Sequence, residues 1–314
     1  MSLLSVETRT AYPLITEQLV RNDVQKSAPK AVIPKKLKPG RPKGSVNKNK
    51  KEVTLSPFQI QLQGCIRAAL TLIGLDVDVM YFVYDGALGN NAGLQAIKQA
   101  GLHLICKLRC DSTLYFPYPG EYSGKGKPRK YGEKLTPEIL TSEHLKEELI
   151  EKGIRTRVYQ VQVWHKNFPE LLNVVIIVKT NMTTGRTAKV LLFSDDLALA
   201  SETLIDYYSL RFQIEFNFRD AKQYWGLEDF MNIKETQVGN AANFSLFMVT
   251  FSQTLSTKMV GINRGSMLDL KTIFRARKYT RRIINSLGKN ADDFLIDDSI
   301  FQAAEIGRIH AKAA

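Results

Sequence analysis

Two carboxylates in this sequence are placed where they could do chemistry. Glu215 lies in the stretch DYYSLRFQIEFNFRDAKQYWGLEDF, with Tyr208, Arg211 and Lys222 at intervals of three, four and seven. On one continuous helix, at about 100° per residue, these four share an arc of roughly 60°. Ion pairing between Arg211 and Glu215, four residues apart, is the purely structural explanation of that stripe. Asp85 follows the apolar run VMYFVY and precedes GALGNN. In open α/β sheets, sites form outside the carboxyl ends of strands, and Asp85 stands at such an end. The structural alternative is a turn or helix-capping aspartate, since Asp-Gly is a common turn pair. Carboxylates from a strand end and a later helix can converge on divalent cations. Two such ions about 4 Å apart activate water and stabilise the leaving oxygen of a phosphodiester. Oxygen ligands suit Mg²⁺ or Mn²⁺ better than zinc.

The elements that must position these groups are legible in outline. Residues 3–9 and 12–20 read as two strands of a hairpin. From Lys26 to Lys51 there are ten Lys or Arg and no Asp or Glu, with prolines at 29, 34, 39 and 42, which describes an extended, unpacked linker. Ser56-Pro57 supplies an N-cap and first-turn pair, and Phe58, Leu62, Ile66, Ala69, Leu70 and Ile73 follow at helical spacing. VMYFVY has the near-continuous apolar character of a strand buried on both faces. A helix over Asn91–Ala100 and the strand LHLICKLR come next. This order predicts a mixed sheet with helices on its faces. Residues 112–196 read as an antiparallel β insertion, with strands STLYFPY, RTRVYQVQVWH, LLNVVIIVKT and AKVLLFS. After the helix of Glu215 come two further helices, and in the second Lys271, Arg275, Lys278 and Arg282 share one face. The expected organisation is a core over 1–111 (with a basic linker at 24–55), the insertion at 112–196, the helix of Glu215 at 197–235, and a helical region at 236–314.

The net charge of +13 and pI near 9.5 call for a polyanionic partner, nucleic acid before an anionic membrane. No apolar stretch is long enough to span a bilayer, and the first residues lack the pattern of a signal peptide. Cys65, Cys106 and Cys110 have neither metal-ligand spacing nor an even count, which fits reduced thiols in a cytoplasmic protein. The four histidines are scattered. In the linker, Gly40-Arg41-Pro42-Lys43 resembles an AT-hook, whose arginine enters narrow A·T minor grooves. A solvated linker touching phosphates without sequence preference is the alternative, and either should bind less tightly as salt is added. The Lys271, Arg275, Lys278 and Arg282 face is either a solvated helix surface or a phosphate contact.

Tyr208, Arg211, Glu215 and Lys222 match the pattern Y-x2-R-x3-E-x6-K at every interval. They resemble the signature of a large family of bacterial insertion-sequence transposases of the DDE type. YFVYDGALGNN is similar to that family's block around its second catalytic aspartate. The β insertion between Asp85 and Glu215 is similar to one those enzymes carry between the second and third acidic residues. The resemblance implies a ribonuclease-H-like core in which Asp85 and Glu215 are catalytic and bind Mg²⁺ or Mn²⁺. Tyr208, Arg211 and Lys222 would position or neutralise phosphates of the transposon end. It further implies double-stranded DNA (transposon ends and target) as partner, a homodimer on DNA, no membrane, and a cytoplasmic, nucleoid-associated location.

One departure stands out. The family needs a first aspartate on the first strand, whereas the opening strands here look like its second and third. Glu7 sits in the wrong strand, and Asp76 and Asp78 precede a strand rather than end one. The expected fold is therefore α/β, a ribonuclease-H-like mixed sheet lacking its first strand, with an antiparallel β insertion and a C-terminal helical region. Loss of a central strand leaves two edges unpaired. The expectation is an N-terminally truncated transposase that folds poorly and does not cut DNA alone, with a separate upstream fragment as a further partner. The alternatives are a catalytically inactive basic DNA-binding remnant and a structural protein with a chance signature.

Overall fold

Short aliphatic segments open the chain as β1 (Ser2–Ser5) and β2 (Thr10–Pro13), an antiparallel hairpin with Ser5 opposite Thr10. The computed structural model describes residues 1–18, 50–74, 76–122, 124, 126–231, 233–259, 266–286, 297, 300 and 301. Helix α1 (Pro57–Ile73) begins at a capping box. The Gln59 N–H donates to Ser56 Oγ at 3.3 Å, and the Ser56 N–H donates to Gln59 Oε1 at 2.9 Å. Both groups would otherwise lack helical partners. Then come β3 (Tyr81–Val83), α2 (Asn91–Lys98) and β4 (His103–Leu108). The order strand, strand, helix, strand, helix, strand is thus as the sequence indicates; of the linker expected at 24–55, residues 24–49 lie outside the described residues.

The insertion consists of β5 (Leu114–Pro117), β6 (Tyr131–Lys134), β7 (Leu145–Glu151), β8 (Ile154–His165), β9 (Leu171–Asn181) and β10 (Thr187–Ser194). The chain divides into two compact units, Glu17–Phe212 and Met1–Thr16 with Gln213–Ala314. In the larger unit one eight-stranded sheet runs β3-β4-β10-β9-β8-β5-β6, with β7 also on β8. Only β3 and β4 pair in parallel among the described residues; every pairing of the insertion strands is antiparallel. The insertion is continuous with the core because β10 pairs directly with β4. Leu104, Ile105 and Cys106, consecutive in β4, are each fully buried, as a strand covered on both faces requires. Helix α3 (Ser201–Leu210) packs Leu204 against Ile105, Val175 and Leu192. Among the described residues β3 pairs only with β4, and β1 only with β2, so β3 presents an open edge.

The helix expected through Tyr208 and Lys222 is two helices, α3 and α4 (Gln213–Trp225). The break contains neither proline nor glycine. Ser209 Oγ donates to the Asp206 carbonyl at 2.7 Å, and the Arg211 and Phe212 N–H groups bond three residues back rather than four.

In the smaller unit α4 packs with the hairpin and α5 (Glu235–Met259). Asn217, buried, donates to the Ala11 carbonyl at 2.9 Å. Ala221, Leu227, Leu246 and Val249 form the local core. Helix α6 (Met267–Ser286) starts at a cap in which Ser266 and Asp269 bond reciprocally.

Candidate active site

Asp85 emerges from the carboxyl end of β3 and its side chain is exposed. The Ala87 N–H donates to Asp85 Oδ1 at 2.9 Å, so the residue caps the single turn Gly86–Leu88. The loop behind it is tied down through backbone. Cys106 Sγ donates to the Asp85 carbonyl at 2.7 Å. Burial pushes the Cys106 thiol up to about 12, which keeps it a protonated donor. Gly89 passes so close to β4 that a Cβ there would lie 2.4 Å from the Lys107 carbonyl oxygen. Asn90 then caps α2 by accepting from the Gly93 N–H at 2.9 Å. The sequence DGALGNNAG is thus accounted for almost residue by residue. It makes a turn that approaches β4 closely and leaves the carboxylate facing outward.

Tyr208 and Arg211 belong to the same unit as Asp85. Tyr208 packs on the α3 side of the sheet, and the Arg211 guanidinium lies over its ring at 5.8 Å from the centroid. Burial raises the Tyr208 phenol, the Arg211 charge opposes that, and Asp85 is among the negative charges adding to it. Arg211 Nε is buried and has no hydrogen-bond partner among the described residues. A buried donor of that kind is costly unless a ligand satisfies it, and a guanidinium selects a planar or tetrahedral oxyanion.

Glu215 and Lys222 belong to the smaller unit. Both are exposed on α4, Glu215 in its first turn, where the helix dipole favours an anion. Seven residues apart, they share the face opposite Asn217 and Ala221, the residues that bury the helix. Lys222 pairs with Glu228 at 2.7 Å on the surface. Lys271 donates to the Tyr224 carbonyl at 2.7 Å and lies over the Trp225 ring, which makes it a tie between α6 and α4. Arg275, Lys278 and Arg282 are exposed along α6. Arg41 and Lys43 lie outside the described residues.

Sequence reasoning overlooked the role of Cys106, which it read only as a reduced thiol; no spacing signals a contact to a loop 21 residues away. It also overlooked an acidic cluster after β10. Asp195, almost fully buried, accepts from the Leu104 N–H at 2.8 Å and bonds His103 Nδ1 at 2.9 Å. Asp196 accepts from Tyr81 Oη at 2.7 Å. These bonds join the starts of β3 and β4 to the end of β10, at the opposite end of the strands from Asp85, and serve the fold.

Residues 1–167, just over half of the sequence, match a family model described as DDE superfamily endonuclease. The chain belongs to that superfamily. The matched span includes the Asp85 loop and stops before Tyr208, Arg211, Glu215 and Lys222. No curated protein matches the chain. The mixed sheet with its C-terminal helices is compatible with a ribonuclease-H-like DDE fold, and endonucleases of this superfamily act on DNA, with divalent metals as their usual cofactors. Among the described residues no helix is long and apolar enough to cross a membrane. Exposed Asp85 and Glu215 carboxylates are hard oxygen donors of the kind such a metal takes. Among the described residues, however, no group of three or more His, Cys, Asp or Glu gathers where it could hold an ion.

Proposed function

We propose that the chain is the carboxyl-terminal portion of an insertion-sequence transposase that cuts double-stranded DNA at the element's ends and transfers the strand to a target. Supporting this reading most directly is Asp85, exposed at the end of β3 in the same unit as the Tyr208–Arg211 pair with its unsatisfied guanidinium donor. Asp85 and Glu215 would hold Mg²⁺ or Mn²⁺, which when bound supplies activation of water and charge neutralisation at the scissile phosphate. Arg211 and Tyr208 would hold a phosphate next to that position, and Lys222, released from Glu228, another. Arg41 and Lys43 would follow the minor groove, and Arg275, Lys278 and Arg282 the backbone, with Lys271 anchoring their helix. A further strand bearing the remaining carboxylate would pair along the open edge of β3. A homodimer on DNA fits the chemistry of joining two ends.

A second reading is a DNA-binding remnant without activity. It is favoured by the engagement of Asp85 as a cap and of Lys222 as an ion pair. The two readings part in one experiment. The chain, alone and co-expressed with the peptide encoded just 5′ of its first codon, is incubated with Mg²⁺ and a duplex bearing the element's ends. The transposase reading expects cleavage by the reconstituted protein, lost by a factor of at least about 100 in Asp85→Asn and in Glu215→Gln. Binding without cleavage in both samples supports the remnant. Cleavage indifferent to both substitutions removes Asp85 and Glu215 from the chemistry.

A further inference from the structure

We propose that the β5–β6 end of the insertion is a separate surface for the phosphate backbone of double-stranded DNA, formed by Arg129, Lys130 and Lys166 on a bed of aromatic rings. Cross-strand pairing assembles it. Tyr115 of β5 faces Trp164 of β8, and Tyr131 begins β6 opposite Pro117. The rings pack edge to face, Tyr115 with Tyr131 at 5.5 Å and Tyr131 with Trp164 at 6.2 Å. Three cations lie over ring faces: Arg129 on Tyr118 at 4.7 Å, Lys130 on Trp164 at 4.8 Å and Lys166 on Tyr115 at 4.9 Å.

The placement of these cations is informative. All three are exposed. Among the described residues none of them pairs with a carboxylate. At the other end of β8, Arg155 and Arg157 share one carboxylate, both lying within ion-pair distance of Glu148. A cation held on a ring face is fixed in position while most of its N–H donors stay available. Because Tyr118, Trp164 and Tyr115 each already carry a cation on a ring face, the ligand this surface suits is a run of phosphates rather than stacked bases.

The surface also joins the basic linker. Lys50 donates its ammonium to the Lys166 carbonyl, and the Lys50 carbonyl accepts from Asn91 Nδ2 at 2.8 Å. Asn91 is the first residue of α2, directly after the Asp85 loop. Lys50 therefore links that loop to the cation cluster, and the Lys-rich segment ends between them. Charge complementarity along this path favours a duplex lying across both.

The proposal rests on the reading that the chain acts on DNA, and its test is run in EDTA so that the outcome does not depend on cleavage. Full-length protein is titrated with a labelled mixed-sequence duplex and with oligothymidylate, over a series of salt concentrations. Arg129→Ala/Lys130→Ala/Lys166→Ala is expected to bind the duplex more weakly, with the slope of log K against log salt reduced by about 3, at about 0.9 per lost phosphate contact. Arg129→Lys/Lys130→Arg/Lys166→Arg, which keeps the charges, should retain both affinity and slope. Lys152→Ala, in the turn at the far end of β8, should also bind as wild type. An alanine variant with unaltered affinity and slope overturns the proposal. Tighter binding of oligothymidylate than of duplex, lost in the alanine variant, overturns the assignment to a duplex.

Discussion

The larger unit and the smaller one present their acidic residues by different means. Asp85 is held through backbone: its carbonyl by Cys106, its carboxylate by the Ala87 N–H, and its loop by the close approach of Gly89 to Lys107. Glu215 projects from the exposed face of α4, and what fixes it is the seating of that helix through Asn217 and Ala221. A loop clamped against an interior strand has little freedom to adjust, whereas α4 is seated by a small apolar core and by side-chain ties, Asn217 to the Ala11 carbonyl and Lys271 to the Tyr224 carbonyl. In the proposed site Asp85 would be the fixed reference and Glu215 the more adjustable partner.

The largest expected effect comes from crowding the fixed side. Gly89→Ala sets a methyl group against a backbone carbonyl, and should cost roughly 3 kcal/mol, read as a lower urea midpoint. An unchanged midpoint would mean the loop is looser than its contacts suggest. The Tyr81–Asp196 bond, at the other end of the same strands, should contribute about 2 kcal/mol near neutrality. Burial, reinforced by Asp196, raises Tyr81 from the usual 10 to about 12. Burial works against ionisation of Asp196, but the Tyr81 hydroxyl, the Ala198 N–H and nearby groups outweigh it and lower its pKa. The tyrosine contribution is therefore complete below pH 10 and is lost as pH rises through about 12. The aspartate contribution is present above its ordinary value of 3.8 and is lost as pH falls through its lowered folded value. The stability difference between wild type and Tyr81→Phe should shrink in both directions.

On the adjustable side, Asn217→Ala removes a donor from the buried Ala11 carbonyl and should cost about 1.5 kcal/mol. Hydrogen exchange should quicken in β1, β2 and α4, and exchange in the larger unit should stay as it was. Faster exchange throughout would erase the distinction between the two modes of support. The smallest effect is expected from Lys222→Ala. Its pair with Glu228 is half-exposed or more on both sides, so stability should change by less than about 0.5 kcal/mol. The salt slope of duplex binding should fall by about 1.

What the sequence revealed follows the same division. β4 was legible because a buried strand reads as an apolar run; the Asp85 strand was found by the same signal but is half-buried at the sheet edge rather than covered on both faces. α1 was legible because Ser56-Pro57 forms a recognisable start. The break at Arg211 was not, since neighbouring residues show no helix breaker and the interruption is visible only in the backbone bonds of Arg211 and Phe212. LKEELIE, β7, escaped notice because its leucines and glutamates favour helix; pairing along β8 makes it a strand. The cation–ring cluster was hidden too, since its members come from β5, β6, β8 and the adjoining turns.

The claim at the centre of this account is that Asp85 and Glu215 serve one metal. Fe²⁺ substituted for Mg²⁺ in the DNA-bound, full-length chain, then treated with ascorbate and peroxide, cuts peptide backbone beside its ligands. The account predicts scission next to both Asp85 and Glu215, suppressed together by excess Mg²⁺. Fragments from only one of these positions, or from neither, would contradict it.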